Sequence, residues 1–272
     1  MLQHALVAVD LAEDWTYLRA RIPRLYALGT ERLTLVHVAS PGFPVAAERT
    51  YREERRALLE DAMAFARDYG FIVDGDVRVG EPVLELDLAM EESGAGFLVA
   101  VSRPRGPLHD LVMGSAVLEL ARIAGRATWL ETVVGDEPGR TGGGVLLATD
   151  GSPAVAGAEG VAVDLATRFG AGLAVWVRPR RWLGANQDDR GGQMEAHLEA
   201  LKAGCPVLRT EIATGDPATE IRRIAQCEGS DLIVLGKRGH NPITGLLLGR
   251  TAERICHRAP ASVLLIPHSQ SI

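Results

Sequence analysis

The chain is poor in cysteine, with three in 272 residues: Cys205, Cys227 and Cys256. They are too few and too scattered for a disulfide framework, and no CxxC pair or Cys/His cluster has zinc spacing. No metal ligand set is assigned, and a reducing cytoplasm is the expected compartment. Long apolar runs are missing too. None reaches the ~20 residues that span a bilayer, so no membrane partner is expected. The opening MLQHALVAVD has no basic stretch and reads as a strand rather than a secretory leader. Excess positive charge is also lacking. The net charge is −6, which argues against a general nucleic-acid partner. Catalytic signatures are absent as well. There is no GxSxG nucleophile elbow and no GxxxxGK[ST] phosphate loop. Cys256 and His257 are neighbours on a helix-like stretch and point apart. No catalytic residue is assigned.

What the chain does have is a core's worth of apolar residues, 47% of the total, and a repeat. His4-Ala5-Leu6-Val7-Ala8-Val9-Asp10 resembles Gly144-Val145-Leu146-Leu147-Ala148-Thr149-Asp150. Val79-Gly80-Glu81-Pro82 resembles Thr214-Gly215-Asp216-Pro217, and Gly96-Phe97-Leu98-Val99 resembles Asp231-Leu232-Ile233-Val234. Pro107 and Gly114 match Pro242 and Gly249. The last three correspondences share one offset of 135 residues (Gly80 to Gly215, Phe97 to Leu232, Gly114 to Gly249). A period this long suits a duplicated domain rather than a solenoid unit. The expected division is a first domain over 1–134, a turn-rich linker over 135–143 and a second domain over 144–272. Charge is uneven between the halves. Residues 1–140 hold 15 Lys+Arg and 22 Asp+Glu, whereas residues 141–272 hold 14 and 13. The less acidic half is the better host for an anion.

Each copy alternates strand and helix. In the second, Val145–Thr149, Leu173–Val177, Val207–Ile212, Leu232–Leu235 and Val263–Ile266 are short apolar runs, as in a parallel sheet buried on both faces. Val155, Ala158, Ala162, Leu165 and Phe169 fall at helical spacing, and Gly170 stops that helix. Asp216-Pro217 starts another helix, with Asp as N-cap, and Ile221, Ile224 and Ala225 form its buried stripe. Gln193–Leu201 reads as a short helix after a polar connector. Ala46–Tyr69 reads as a longer one, with Leu58, Leu59, Ala62, Phe65 and Ala66 on its apolar side. The fold class is therefore α/β: two tandem doubly wound, Rossmann-like domains, each with a parallel sheet flanked by helices. Ligands of such sheets sit beyond the strand C-termini where the winding reverses. Asp150 ends one strand and Gly236 follows another, so the two share a crevice if those strands are neighbours.

The clearest motif is Gly236-Lys237-Arg238-Gly239, then nine residues, then Gly249-Arg250-Thr251, lying between an apolar strand and a helix start. Glycines allow close backbone approach and positive φ. Successive loop N–H groups and a helix start together make an anion nest. Lys237, Arg238 and Arg250 add positive charge, so the stretch suits phosphate.

These residues resemble the universal stress protein family, whose nucleotide-binding members carry Gly-x2-Gly-x9-Gly followed by Ser or Thr. Gly236, Gly239 and Gly249 match in type and spacing, as do Asp150-Gly151-Ser152 and Gly215-Asp216-Pro217. The resemblance covers nearly the whole chain twice and implies a tandem member involved in stress response. It implies five-stranded parallel sheets of the adenine nucleotide alpha hydrolase-like kind, binding ATP or another adenine nucleotide between the first and fourth strands. Ala148, Thr149 and Asp150 would lie along the adenosine, and the backbone of Val177 would read the adenine edge. Gly236, Lys237, Arg238 and Gly239 would wrap ribose and phosphates, and Gly249, Arg250 and Thr251 would hold the phosphates, with Mg as a bridging ion. Arg250 departs from the family's Ser/Thr, losing a hydroxyl and supplying a charged fork that suits phosphate.

The first copy departs further, since Val101 and Pro104 stand where Gly236 and Gly239 do. Asp10, Gly114 and Ser115 remain of a degenerate site. Family members pair through their last strands. Ala127–Glu131 and Val263–Ile266 would make that contact within one chain, as an intramolecular pseudo-dimer, and the chains could pair again as a homodimer. The Ser-Gly-Gly-x-Asp-Ser loop and His-x-x-His pair of ATP-dependent activating enzymes are absent. His240 is the histidine of the glycine loop. The expected function is a nucleotide-dependent regulator that offers a changed surface to a protein partner. The alternatives are a slow ATPase or nucleotide-transfer enzyme, and an interaction scaffold without nucleotide.

Overall fold

The computed structural model describes residues 1–9, 11, 21–39, 45–102, 115–123, 125–132, 144–179, 187–239 and 248–268. They divide into two compact units. One is built on residues 1–102 with Arg126–Trp129; the other takes in the C-terminal half together with Ser115–Ile123 and Leu130–Thr132.

The first unit runs β1 (His4–Ala8), α1 (Ile22–Ala27), β2 (Arg32–Ala39), α2 (Val45–Asp68), β3 (Ile72–Val79), α3 (Pro82–Ser93) and β4 (Phe97–Ser102). Then come α4 (Ser115–Ile123) and β5 (Ala127–Thr132). Its strands lie in the order β3-β2-β1-β4, with β5 next to β4. β1 pairs in parallel with both β2 and β4. The apolar side of α2 is rotated slightly from the expected one. Leu59, Ala62, Met63 and Ala66 are buried and Leu58 is exposed. Met63 takes the inward place because its thioether fills the space over Gly75, where a Cβ would lie 2.4 Å from Sδ.

The second unit continues with β6 (Val145–Ala148), α5 (Ala156–Phe169), β7 (Gly172–Arg178), α6 (Gln187–Gly204), β8 (Leu208–Thr214), α7 (Pro217–Cys227), β9 (Leu232–Gly236), α8 (Arg250–Cys256) and β10 (Ser262–Ile266). The strand order is β10-β9-β6-β7-β8, with every neighbouring pair parallel. All four residues of β6 are buried, as expected of a strand covered on both faces. Within this unit, Ser262 Oγ donates to the buried Glu131 Oε2 at 2.6 Å.

The repeat is visible in the register. Ala5 pairs with Phe97 as Val145 pairs with Leu232. Gly80 N–H donates to Ala39 O at 3.0 Å, and Gly215 N–H to Arg178 O at 2.9 Å. The two Gly-x-Pro turns thus follow the third strand of each unit and take up the last carbonyl of the second in the same way.

Local chemistry explains the helix ends. Gly170 closes α5 in the left-handed region, φ 72°. α6 begins six residues before the expected Gln193 and runs through Gly191 and Gly192. Burial of Met194 and Leu198 outweighs the ~1 kcal/mol per-glycine penalty that suggested a connector there. Asp216 caps α7 by accepting from Thr219 N–H at 3.1 Å, and it also takes both guanidinium arms of Arg254 at 2.7 and 2.9 Å. The Arg254 bonds and those from Thr219 hold its carboxyl at about 2, well below the usual 3.8. The stabilisation is therefore complete above 3.8 and is lost as pH falls through about 2. Asp216→Ala is expected to cost about 1 kcal/mol at neutral pH and to flatten the acid limb of stability measured by urea unfolding between pH 4.5 and 2.

Candidate functional site

The winding of the chain reverses between β6 and β9. α5 leaves β6 toward β7, whereas β9 lies on the other side, so the strand ends open a crevice there. The conditional adjacency of Asp150 and Gly236 is thereby met: Ala148 pairs with Leu235. Beyond this pair the two chains turn apart, and each turn is held by its own bonds.

After β6, Thr149 N–H donates to Val175 O at 3.0 Å. Thr149 Oγ1 then accepts from Gly151 N–H at 3.0 Å. Asp150 Oδ1 accepts from Ser152 N–H at 3.1 Å and from Ser152 Oγ at 2.6 Å, an Asx turn. Gly151 sits at φ 67°, the left-handed region that favours glycine. A single 3-10 turn, Pro153–Val155, leads into α5.

After β9, Lys237 N–H donates to Ile266 O at 2.8 Å, and Lys237 O accepts from Gly249 N–H at 2.7 Å. The strand end, β10 and the start of α8 meet at this one residue. The three motif glycines are there for close approach and not for positive φ, since none is among the described positive-φ glycines. A Cβ at Gly236 would lie 2.7 Å from Arg238 O and 2.9 Å from Val155 Cγ1. At Gly239 it would lie 2.6 Å from Asp150 Oδ2, and at Gly249 3.3 Å from Lys237 O. Gly239 thus brings the glycine loop against the acidic turn.

The remaining expected site residues are placed as follows. Ala148 and Thr149 are buried, and Asp150 is half-buried. Val177 is buried in β7, two residues past the Val175 carbonyl that receives Thr149. Arg238 is half-buried, whereas Arg250 and Thr251 are exposed at the first turn of α8. Lys237 is only 4% exposed. His240 lies outside the described residues, as do Asp10, Pro104 and Gly114. Ser115 opens α4, and Val101 lies in β4.

Two residues that the motif did not point to join the acidic turn. Thr149 Oγ1 donates to Glu159 Oε1 on α5, and His197 Nε2 on α6 lies 2.7 Å from the same oxygen. The signal was present. Glu159 stands four residues after Val155 and three before Ala162, so a carboxylate interrupts an apolar stripe.

In the first unit the chain past the matching strand end is bonded to side chains of β2 and α2. By register His37 stands where Trp176 does. His37 Nδ1 lies 2.9 Å from Val9 O and 3.3 Å from Leu11 N, and its Nε2 lies 3.1 Å from Tyr51 Oη. Arg55 Nη1 donates to Leu11 O, and its guanidinium lies 4.9 Å over the Tyr51 ring.

Comparison with known proteins agrees with this architecture. The universal stress protein family model matches residues 1–125 and again 144–267. The chain belongs to the universal stress protein family. A universal stress protein of Mycolicibacterium smegmatis is 24% identical over 287 residues, covering 96% of each chain. One from Thermus aquaticus is 32% identical over 133 residues, which is 45% of this chain and 96% of that protein. The crystal structure of a universal stress protein from Archaeoglobus fulgidus superposes with a TM-score of 0.81. It shares 17% identity and covers 99% of this chain and 100% of its own, a likeness of fold. The tandem α/β architecture expected from the repeat is thus the family's own. Among the described residues, no helix of this universal stress protein is long and apolar enough to cross a membrane. Nor does any group of three or more His, Cys, Asp and Glu suit a metal.

Electrostatics sets the loop's cost. Burial pushes the Lys237 ammonium from 10.5 down to about 8, and burial pushes the neighbouring Cys256 thiol up to about 12. A thiol held that high is a poor nucleophile at neutral pH. The unfolded chain keeps the Lys237 proton up to about 10.5 whereas the folded one releases it near 8. Folding therefore carries a penalty at neutral pH of about 3 kcal/mol. Thermal or urea unfolding is expected to show stability rising from pH 8 to about 9 and levelling above it, where the unfolded Cys256 thiol loses a proton that the folded one keeps. Lys237→Met should raise the neutral-pH melting temperature by several degrees and remove that rise.

Proposed function

We propose that the chain binds ATP, or another adenine nucleotide, in the second unit and acts as a nucleotide-dependent regulator. The observation that carries this reading is the meeting of Asp150 with Gly239 across the β6–β9 crevice, at a spacing where a Cβ on the loop would have to displace the Asp150 carboxylate. Strand ends at a winding reversal are where open α/β sheets take their ligands. Adenosine lies along Ala148–Asp150, and the Val177 backbone reads the adenine edge. The main chain of Gly236–Gly239 wraps ribose and phosphates. Arg250 and Thr251 receive the terminal phosphates, with Arg250 offering two parallel donors where the family uses a hydroxyl. A divalent ion such as Mg2+ accompanying the nucleotide would supply positive charge to the phosphates.

The first unit stays empty of nucleotide in this reading. His37 and Arg55 bond to the main chain just past β1, and Tyr51 bonds to His37, so this strand end already has partners within the protein. Pro104, in place of a glycine, offers the phosphates no N–H. Regulation follows if nucleotide binds one conformation of the second unit more tightly than another and a protein partner reads the difference.

Isothermal calorimetry with ATP is expected to give about one site per chain. Gly239→Val should lower affinity at least tenfold, because its Cβ meets the Asp150 carboxylate, a change of about 1.4 kcal/mol or more. Pro104→Gly should leave the stoichiometry unchanged. Two equal sites, or full affinity in Gly239→Val, would contradict the assignment.

A further inference from the structure

The acidic turn carries a hydrogen-bond chain that the glycine motif does not require. Gly151 N–H donates to Thr149 Oγ1 at 3.0 Å, Thr149 Oγ1 donates to Glu159 Oε1, and His197 Nε2 meets that oxygen from the other side at 2.7 Å. Glu159 is 7% exposed and Thr149 6%. A carboxylate buried this deeply is held only where donors replace its lost water, so both partners are needed. Thr149 spends its proton on Glu159 and turns its lone pairs to Gly151. Its hydroxyl orientation, and with it the shape of the turn, depends on where Glu159 is held.

α6 closes the turn from above. Gly151 would place a Cβ 2.6 Å from Met194 Sδ and 3.7 Å from His197 Cδ2. Asp150 lies between this roof and the glycine loop. Its Oδ1 is taken by Ser152, and its Oδ2 faces Gly239. A turn that loosened at Thr149 or Gly151 would release the carboxylate that meets the ligand-side loop.

We infer that His197, through Glu159, is a positioning residue of the crevice. It fixes the Thr149–Gly151 turn so that Asp150 is presented to the nucleotide, and it makes α6 the element through which occupancy of the site is felt. This rests on the nucleotide reading above. His197 touches no ligand; it acts by holding Glu159, which holds Thr149. Its side chain is one-third exposed, so the chain begins on a helix face that a partner can reach and ends at the strand tip.

The test compares wild type, His197→Ala, His197→Gln and Leu198→Val. The Gln amide nitrogen can take the place of Nε2 as a donor. Leu198→Val trims a buried α6 residue outside the hydrogen-bond chain. The first readout is amide hydrogen exchange at Gly151 by NMR in ligand-free protein. Protection is expected to fall at least tenfold in His197→Ala and to stay within threefold of wild type in His197→Gln and Leu198→Val. The second is ATP affinity by calorimetry, expected to weaken about tenfold in His197→Ala and to recover in His197→Gln. Unchanged Gly151 protection in His197→Ala overturns the inference. So does an equal affinity loss in Leu198→Val, which would mean general loosening of α6. The absence of ATP binding to wild type overturns the nucleotide reading itself. Wild-type binding matched by His197→Ala overturns only the role of His197.

Discussion

Parallel pairing of Ala148 with Leu235 brings the tips of β6 and β9 side by side, and the rest of the second unit is arranged around that contact. Because the chain leaves one tip toward β7 and the other toward β10, the backbones diverge and expose their ends to a common space. The Asp150 turn and the Gly236–Gly239 stretch then meet without competing for the same hydrogen bonds. Asp150 is satisfied by Ser152, and Lys237 by Ile266 and Gly249. Each wall of the crevice is self-supporting, so the space between needs no side chain to fill it.

Much of this was legible in the sequence because it follows from local rules. Short apolar runs gave the buried strands, Gly170 and Asp216 gave the helix ends, and the 135-residue offset gave the duplication. What was not legible depended on tertiary packing. Glycines 191 and 192 suggested a connector where α6 is continuous, since the buried Met194 and Leu198 decide the matter from outside the helix. The motif glycines were read partly as positive-φ positions. Their requirement is instead the absence of a Cβ between packed walls, a property of neighbours far away in sequence. His197 carried no motif at all, and only the fold brings it to Glu159 from 38 residues away.

The two units share a register and differ in what bonds to the end of the first strand. Thr149 N–H to Val175 O and Val9 N–H to Val36 O are the same bond. One register position later stands Trp176 in one unit and His37 in the other. The imidazole bonds back to the strand end and recruits Tyr51, while Arg55 reaches Leu11 from the same helix. Main-chain carbonyls of Val9 and Leu11 thereby find partners within the protein.

Lys237 O and Gly249 N–H close the glycine segment at its neck. The bond ties the end of β9 to the start of α8, and lengthening the chain that joins two points so held costs only a slowly growing entropy. The register of β9 against β6 and β10 is thereby held by bonds outside the connection itself. Chains built this way can vary the link from strand to helix without rebuilding the core that carries both.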